Sequence, residues 1–304
     1  NDKMKYRIIT YGCQMNKSDS ERIAHALESI GYQPASRENE AGLILVNMCS
    51  VRQSAVDRVY GLLPKFKKLK ESIPGFKTIL TGCVLKKDKE KLEKSNGFDF
   101  ILDIKDLPTL PEKLKTYEKY PVSQKNYLDI QPRYKSSFSA SVPIMTGCNN
   151  FCSFCVVPFS RGREISRPVK EILDEVKNLI KRGCKEIWLL GQNVNSYYSP
   201  IRANKSIINF PKLLKMVNDI PGNFWIRFTS SHPKDLSDEL IKAMKRCKKV
   251  TPYLNLPIQS GDNGILKRMN RPYTVGYYRD LVKKIRKKIQ DICLSTDIIV
   301  GFPG

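Results

Sequence analysis

The sequence predicts an α/β fold in two parts: an N-terminal open parallel α/β sheet domain, followed by a partial parallel (βα) barrel. Short apolar runs alternate with amphipathic stretches of helical period along nearly the whole chain, the pattern of parallel strands joined by crossover helices. The alternation breaks once, over Tyr120 to Ser141, a polar stretch with Pro121 and Pro132 that ends in a serine-rich run and reads as a linker. Cysteine or small polar residues follow the apolar runs where strands should end, at Cys13, Cys49, Cys83, Cys148, Gly191-Gln192, Ser230-Ser231 and Gln259-Ser260. In parallel α/β folds reacting groups collect at the C-terminal strand ends, so this edge is the expected site.

In the first part the expected pairs are strand Tyr6–Tyr11 with helix Ser18–Ile30, Leu43–Asn47 with Gln53–Leu69, Thr78–Thr81 with Lys87–Lys94, and Phe100–Leu102 with Leu107–Lys115. Each strand is a brief run rich in Ile, Leu, Val or Thr, and each following segment spaces its apolar residues by three or four, as Ile23, Leu27 and Ile30 do. The second part opens with strand Val142–Thr146. Helix Val169–Lys181, strand Glu186–Leu190, helix Phe210–Asn218, strand Trp225–Thr229 and helix Leu236–Lys245 follow. Strand Tyr253–Pro257, a helix near Tyr277–Ile289 and strand Leu294–Phe302 complete it. The domains are thus expected at 1–119 and 142–304, with 120–141 between them. The chain begins without Met and stops directly after a strand-like run, so it reads as a piece of a longer protein.

Lys and Arg number 53 against 30 Asp and Glu, a formal charge of +23. A polyanionic partner is the natural expectation; solvated lysine faces such as Lys65–Lys70 and Lys283–Lys288 are the plainer one. No run is long and apolar enough for a membrane span, and the N-terminus lacks a signal-peptide core, so a cytoplasmic protein with no membrane partner is expected. In that compartment nine cysteines read as metal ligands or buried thiols rather than disulfides.

Cys148, Cys152 and Cys155 lie on one short loop, and the nearest other cysteines in sequence are Cys83 and Cys184. Three thiolates so placed suit a four-iron cluster with one iron left open; a closed four-ligand site fits poorly. Cys13, Cys49 and Cys83 each end a strand of one predicted parallel sheet, so these three should converge on its edge and hold a second cluster. S-adenosylmethionine can chelate an open iron and be cleaved by one-electron reduction, while a second open iron can carry sulfur. Cys184, Cys247 and Cys293 fit no spacing and read as core or incidental thiols. His25 reads as structural; His232, before Pro233, is a site candidate or a loop residue orienting its neighbours.

Thr-Gly-Cys148-Asn-Asn-Phe-Cys152-Ser-Phe-Cys155 resembles the signature of radical S-adenosylmethionine enzymes. Tyr-Gly-Cys13-Gln-Met-Asn, Asn-Met-Cys49-Ser-Val-Arg, Thr-Gly-Cys83-Val, Val-Val-Pro-Phe-Ser-Arg161-Gly-Arg163 and Ser166-Arg167-Pro168 narrow the resemblance to the methylthiotransferases, over nearly the whole chain. Leu190-Gly-Gln192-Asn193-Val-Asn195-Ser-Tyr197, Arg227-Phe-Thr-Ser-Ser-His232-Pro233 and Leu256-Pro-Ile-Gln259-Ser260-Gly261 are similar to the MiaB branch.

That resemblance implies a cytoplasmic tRNA-modifying transferase with two 4Fe-4S clusters. Cys148, Cys152 and Cys155 would bind the cluster that cleaves S-adenosylmethionine, and Cys13, Cys49 and Cys83 the auxiliary one. One S-adenosylmethionine would give the methyl group and a second the radical that takes hydrogen from carbon 2 of N6-isopentenyladenosine, beside the tRNA anticodon. By position, Phe154, Gln192, Asn193, Ser230, Gln259 and Ser260 are cofactor- or substrate-binding candidates, and Arg161, Arg163 and Arg167 are candidates for RNA phosphate or for balancing cluster charge. An electron donor such as flavodoxin or ferredoxin and a sulfur source are implied partners. Family members continue past Gly304 to complete the barrel and add a TRAM domain, neither of which this sequence holds. The alternatives are a methylthiotransferase acting on threonylcarbamoyl-adenosine or a ribosomal-protein aspartate, and a non-catalytic iron-sulfur RNA-binding or redox-sensing module.

Overall fold

The computed structural model describes residues 4–114, 126–200 and 207–304. The chain divides into one unit of residues 1–135 with Phe159–Arg161, and another of 136–158 with 162–304. The start of the expected linker, 120–125, and Lys115 at the end of the fourth expected helix lie outside the described residues.

The first unit runs β1 (Lys5–Tyr11), α1 (Gln14–Ser29), β2 (Gln33–Pro34), β3 (Leu43–Cys49), α2 (Gln53–Ser72), β4 (Lys77–Cys83), α3 (Lys86–Lys94), β5 (Phe100–Ile101) and α4 (Leu110–Lys113). Its strands form one parallel sheet in the order β2-β1-β3-β4-β5. Strand β3 lies at the centre and is buried at every position, as a strand covered on both faces must be. Leu43 and Leu45 face a core built with Ile23 and Leu27 of α1. Ile44, Val46 and Met48 face the opposite core, with Val56, Val59 and Phe66 of α2. The helix expected over Leu107–Lys115 is instead a 3-10 turn over Ile104–Thr109 and the short α4, because Pro108 and Pro111 cannot donate the backbone bonds that a continuous helix needs. Tyr127, Leu128 and Ile130, from the stretch expected to be a linker, are buried in the first core. They give that segment an apolar anchor which its polar average conceals.

The second unit runs β6 (Ser139–Pro143), β7 (Met145–Thr146), α5 (Val157–Ser160, shared at its end with the first unit), β8 (Ile165–Ser166), α6 (Val169–Lys181), β9 (Glu186–Leu190), β10 (Tyr198–Pro200), β11 (Ile207–Asn209), α7 (Phe210–Asn218), β12 (Trp225–Phe228), α8 (Asp238–Arg246), β13 (Tyr253–Asn255), α9 (Asn263–Arg268), α10 (Val275–Lys288) and β14 (Cys293–Ser295). Strands β6, β9 and β12 pair in parallel, each beside its predecessor in the strand-helix series. A parallel bridge from Ile226 to Val250 leads on to the parallel pair β13-β14, and Gln259 bridges to Ile298. This is a partial parallel (βα) barrel. The run expected as strand Leu294–Phe302 is shorter, with regular pairing confined to Cys293–Ser295.

Candidate functional site

In the first unit, three adjacent strand ends carry the cysteines. Cys49 and Cys83 are register partners at the last positions of β3 and β4, and Cys13 caps the helix that follows β1. The close approach of β3 and β4 depends on Gly82, whose φ is +110° and whose Cβ, if present, would lie 2.3 Å from the Met48 carbonyl oxygen. Asn16 Oδ1 accepts from the Cys13 backbone N–H at 3.2 Å and from its thiol at 3.3 Å. Asn16 Nδ2 donates to Asn47 Oδ1 at 2.9 Å, and Asn47 Nδ2 donates to Ser20 Oγ at 2.9 Å. Both asparagines are fully buried, so this small network fixes the helix bearing Cys13 against the strand bearing Cys49. A hydrogen bond between the Cys49 and Cys83 thiols drives their pKa values apart. The bond from Cys83 lowers the Cys49 thiol to about 7 against the effect of burial, whereas the same bond and burial raise Cys83. One of the two is therefore readily available as a thiolate, the form that binds iron.

Arg161 packs with this unit and is buried. Its Nη2 pairs with Asp19 Oδ2 at 2.6 Å, its Nη1 donates to Tyr127 Oη at 3.1 Å, and its Nε donates to Cys83 Sγ at 2.9 Å. Burial works against the charge, but Asp19 and Cys83 hold the guanidinium protonated. Of its two sequence roles, contact with RNA phosphate is thus unsupported: the side chain is enclosed and its donors are engaged. Arg167 is likewise internal, paired with Glu175 at 2.7 Å and donating to the Pro143 carbonyl at 2.8 Å. Arg163 stacks on the Phe151 ring, 4.3 Å from its centroid.

In the second unit the cysteine loop leaves β7 through Gly147. There φ is +78° and an added Cβ would lie 2.0 Å from the Arg163 carbonyl oxygen. Phe151 adopts φ +48°, a conformation a bulky residue takes only when held. The clamp comes from α9 and the residues behind it. Asn270 Nδ2 donates to the Phe151 carbonyl at 2.9 Å, Ser153 N–H to the Met269 carbonyl at 3.1 Å, and Arg271 Nη1 to Cys152 Sγ at 3.4 Å. Cys148 and Cys152 are buried and Cys155 partly so; burial and the neighbouring thiols push Cys148 and Cys155 up. Among the described residues no three His, Cys, Asp or Glu side chains close around a single metal ion. A cubane makes a different demand, since each thiolate binds its own iron and the sulfurs stand further apart. The loop's free thiols and the cationic Arg271 beside Cys152 fit such a group.

Replacing Gly147 with Ala is expected to cost about 2 kcal/mol or more through backbone strain. Lower iron content and a lower melting temperature than wild type would be seen together.

Beyond the loop, the ends of β9 and β12 carry buried polar atoms without hydrogen-bond partners: Gln192 Oε1, Asn193 Oδ1, both amide atoms of Asn195, Ser231 Oγ and His232 Nε2. Buried polar atoms are ordinarily paired, so a set of donors and acceptors left open at strand ends suits a polar ligand such as S-adenosylmethionine or a nucleoside. Asn193 Nδ2 is already held by Asp235 Oδ2 at 2.7 Å. Ser230 and Gln259 both sit at positive φ, +65° and +71°, at the ends of their strand segments. Ser260 Oγ accepts from Asp262 N–H at 3.2 Å, and Phe154 is half-buried. Asn195 and Ser231 join the expected set; both stood in the motifs already, beside the residues singled out. A cavity of about 430 Å³ lies by Thr251 and Pro252, at the opposite end of β13 from Gln259.

His232 is buried. Its Nδ1 accepts from Lys234 N–H at 3.2 Å, and its ring meets Tyr273 edge-on. Desolvation, then Arg271 and Lys234, lowers its pKa to about 3. Below its ordinary pKa near 6.5 the unfolded chain takes up a proton that the folded chain refuses, so this residue makes stability fall as pH drops from about 6.5 toward 3. In thermal melts from pH 7 to 5, wild type should lose stability more steeply than His232→Asn, by up to about tenfold in the unfolding equilibrium per pH unit.

The sequence model of the Radical SAM superfamily matches residues 142–304, and that of uncharacterized protein family UPF0004 matches residues 5–103. The chain is 43% identical to a tRNA-2-methylthio-N(6)-dimethylallyladenosine synthase of Clostridium perfringens strain SM101, over 100% of this chain and 70% of that protein. It is 45% identical to the synthase so named in Clostridium novyi, over 99% and 68%. Among solved structures it resembles the apo form of OxsB, a cobalamin-dependent S-adenosylmethionine radical enzyme, with TM-score 0.70 and 11% identity. That match covers 98% of this chain and 49% of OxsB, so the chain spans about half of that protein. The radical S-adenosylmethionine methyltransferase TsrM aligns with TM-score 0.66 and 13% identity, over 100% and 68%. At these identities the structural matches speak for the fold alone. The chain belongs to the Radical SAM superfamily and, within it, to the family of the tRNA-2-methylthio-N(6)-dimethylallyladenosine synthases.

Proposed function

We propose that this chain carries the cluster-binding part of a tRNA methylthiotransferase, which replaces the hydrogen on carbon 2 of N6-isopentenyladenosine, next to the anticodon, with a methylthio group. The observation that carries this reading is the pair of three-cysteine sites, Cys13, Cys49 and Cys83 on one sheet edge and Cys148, Cys152 and Cys155 on one clamped loop, in a chain 43–45% identical to enzymes of that name. The superfamily implies one 4Fe-4S cluster and S-adenosylmethionine, which Cys148, Cys152 and Cys155 would hold; the second cluster, on Cys13, Cys49 and Cys83, belongs to the proposal. Bound there, these groups supply an electron for cleaving one S-adenosylmethionine to a carbon radical, and a sulfur that takes its methyl group from a second.

The chain's own residues prepare the site. Gly147 permits the turn into the loop, Asn270 and Arg271 hold the loop's carbonyls and Cys152, and the open atoms of Gln192, Asn195, Ser231 and His232 are available to a polar ligand. Carbon 2 of adenine is unactivated toward polar reagents, which makes a radical route chemically sensible. The substrate base must leave its stack, at modest cost in a single-stranded loop. The charge of +23 suits tRNA, and among the described residues no helix is long and apolar enough to cross a membrane. A cytoplasmic setting, a flavodoxin- or ferredoxin-like electron donor and an external sulfur source complete the proposal.

The experiment is nucleoside mass analysis of isopentenylated tRNA after incubation with the full-length protein, its clusters rebuilt without oxygen, plus S-adenosylmethionine and a reductant. A methylthio mass gain on isopentenyladenosine is expected. Release of 5′-deoxyadenosine without that gain would move the substrate to threonylcarbamoyl-adenosine or a ribosomal-protein aspartate. No cleavage of S-adenosylmethionine would leave a non-catalytic iron-sulfur module.

A further inference from the structure

We propose that Arg161 is a positioning residue of the auxiliary centre: it orients Cys83 and offsets the negative charge that three thiolates bring to that strand edge. The inference rests on the reading of Cys13, Cys49 and Cys83 as a cluster site. A fully buried ion pair is usually no more stabilising than well-packed apolar residues of the same size, so Arg161 and Asp19 call for a reason beyond the core. Their geometry supplies one. Asp19 belongs to α1, the helix capped by Cys13, and Arg161 Nε points at the sulfur of Cys83 at 2.9 Å, so one ion pair ties together two of the three elements that bear cysteines. Tyr127 Oη accepts a hydrogen bond from Nη1 and leaves the guanidinium little freedom to turn from the sulfur.

A planar cation that donates to a ligand sulfur both fixes the ligand's rotamer and raises the reduction potential of the cluster it serves. Lysine cannot reproduce this, because it lacks the rigid fork that reaches the carboxylate and the sulfur at once.

The test uses the full-length protein with Cys148, Cys152 and Cys155 changed to Ala, so that only the auxiliary site can load. The site is rebuilt without oxygen and read by iron content and by a redox titration followed by electron paramagnetic resonance. Arg161→Met removes the donor. The double variant Asp19→Asn with Arg161→Met removes it without stranding a buried carboxylate, should the single variant fail to fold. Arg161→Lys keeps the charge alone.

In both Met variants we expect either a midpoint potential lower by about 59 mV or more, a tenfold change in a one-electron equilibrium, or a loss of bound iron, which in the double variant comes with an unchanged apo-protein melting temperature. Arg161→Lys should fall between wild type and the Met variants. Full iron content at an unshifted potential in the double variant would overturn the inference while leaving the two-cluster reading intact. Failure of the protein with Arg161 intact to bind iron would instead overturn the two-cluster reading, and this inference with it.

Discussion

Changing any one of Cys148, Cys152 or Cys155 to Ala is expected to reduce release of 5′-deoxyadenosine from S-adenosylmethionine to background. Most of the contacts that hold the loop do not involve the sulfurs: Gly147 at positive φ, Asn270 on the Phe151 carbonyl, and Ser153 on the Met269 carbonyl, with Arg271 on Cys152 Sγ in addition. Removing one sulfur atom from a side chain on such a loop should cost the fold about 1 kcal/mol. It leaves only two thiolates where a cluster with one open iron needs three. The loss of cleavage should therefore come with loss of about four irons and a nearly unchanged melting temperature of the apo protein. Retained cleavage in any of the three variants would remove the loop from the chemistry.

Changing Cys13, Cys49 or Cys83 to Ala should give the opposite pattern, with cleavage of S-adenosylmethionine intact and no methylthio product. The three sit at adjacent strand ends of the first unit, their backbones set by the β1-β3-β4 pairing and by Asn16 and Asn47. The thiols' bonds to Asn16, from Arg161 and between Cys49 and Cys83 are separate from the strand ladder, so each substitution leaves the sheet pairing in place. Of the two buried thiols, Cys49 should be more sensitive than Cys83 to alkylation in the apo protein, because the bond from Cys83 lowers the Cys49 thiol to about 7 and raises Cys83. Chromatographic measurement of 5′-deoxyadenosine alongside nucleoside mass analysis separates the two activities in one reaction. Methylthiolation by any of these variants would contradict the division of labour between the two cysteine sets.

The fold class was legible because parallel α/β architecture writes itself into short-range pattern: β3 is buried along its whole length and is apolar except at Asn47, and α1 and α2 bury the spaced residues. The cysteines were legible for the same reason, since a strand end can be counted from its apolar run. What pattern could not give was any pairing made at a distance. Arg161 stood in a basic cluster that suggested either RNA phosphate or balance for cluster charge, yet its partner is Asp19, 142 residues away, and nothing local distinguishes a guanidinium in a core from one in solvent. Asn16 and Asn47 stood inside the cysteine motifs, but their mutual bond links positions 31 residues apart. The positive φ of Ser230 and Gln259 was also unreadable, because neither is a residue that prefers it. Pro108 and Pro111, in contrast, stand in the sequence itself, and they shorten the fourth helix.

The most direct measurement is iron per polypeptide after anaerobic rebuilding of three full-length proteins: wild type, the variant with Cys148, Cys152 and Cys155 changed to Ala, and the variant with Cys13, Cys49 and Cys83 changed to Ala. Two independent three-cysteine sites predict about eight irons in the first and about four in each of the others. About four irons in wild type, none in the variant lacking Cys148, Cys152 and Cys155, and four in the other would contradict a second cluster on the N-terminal sheet.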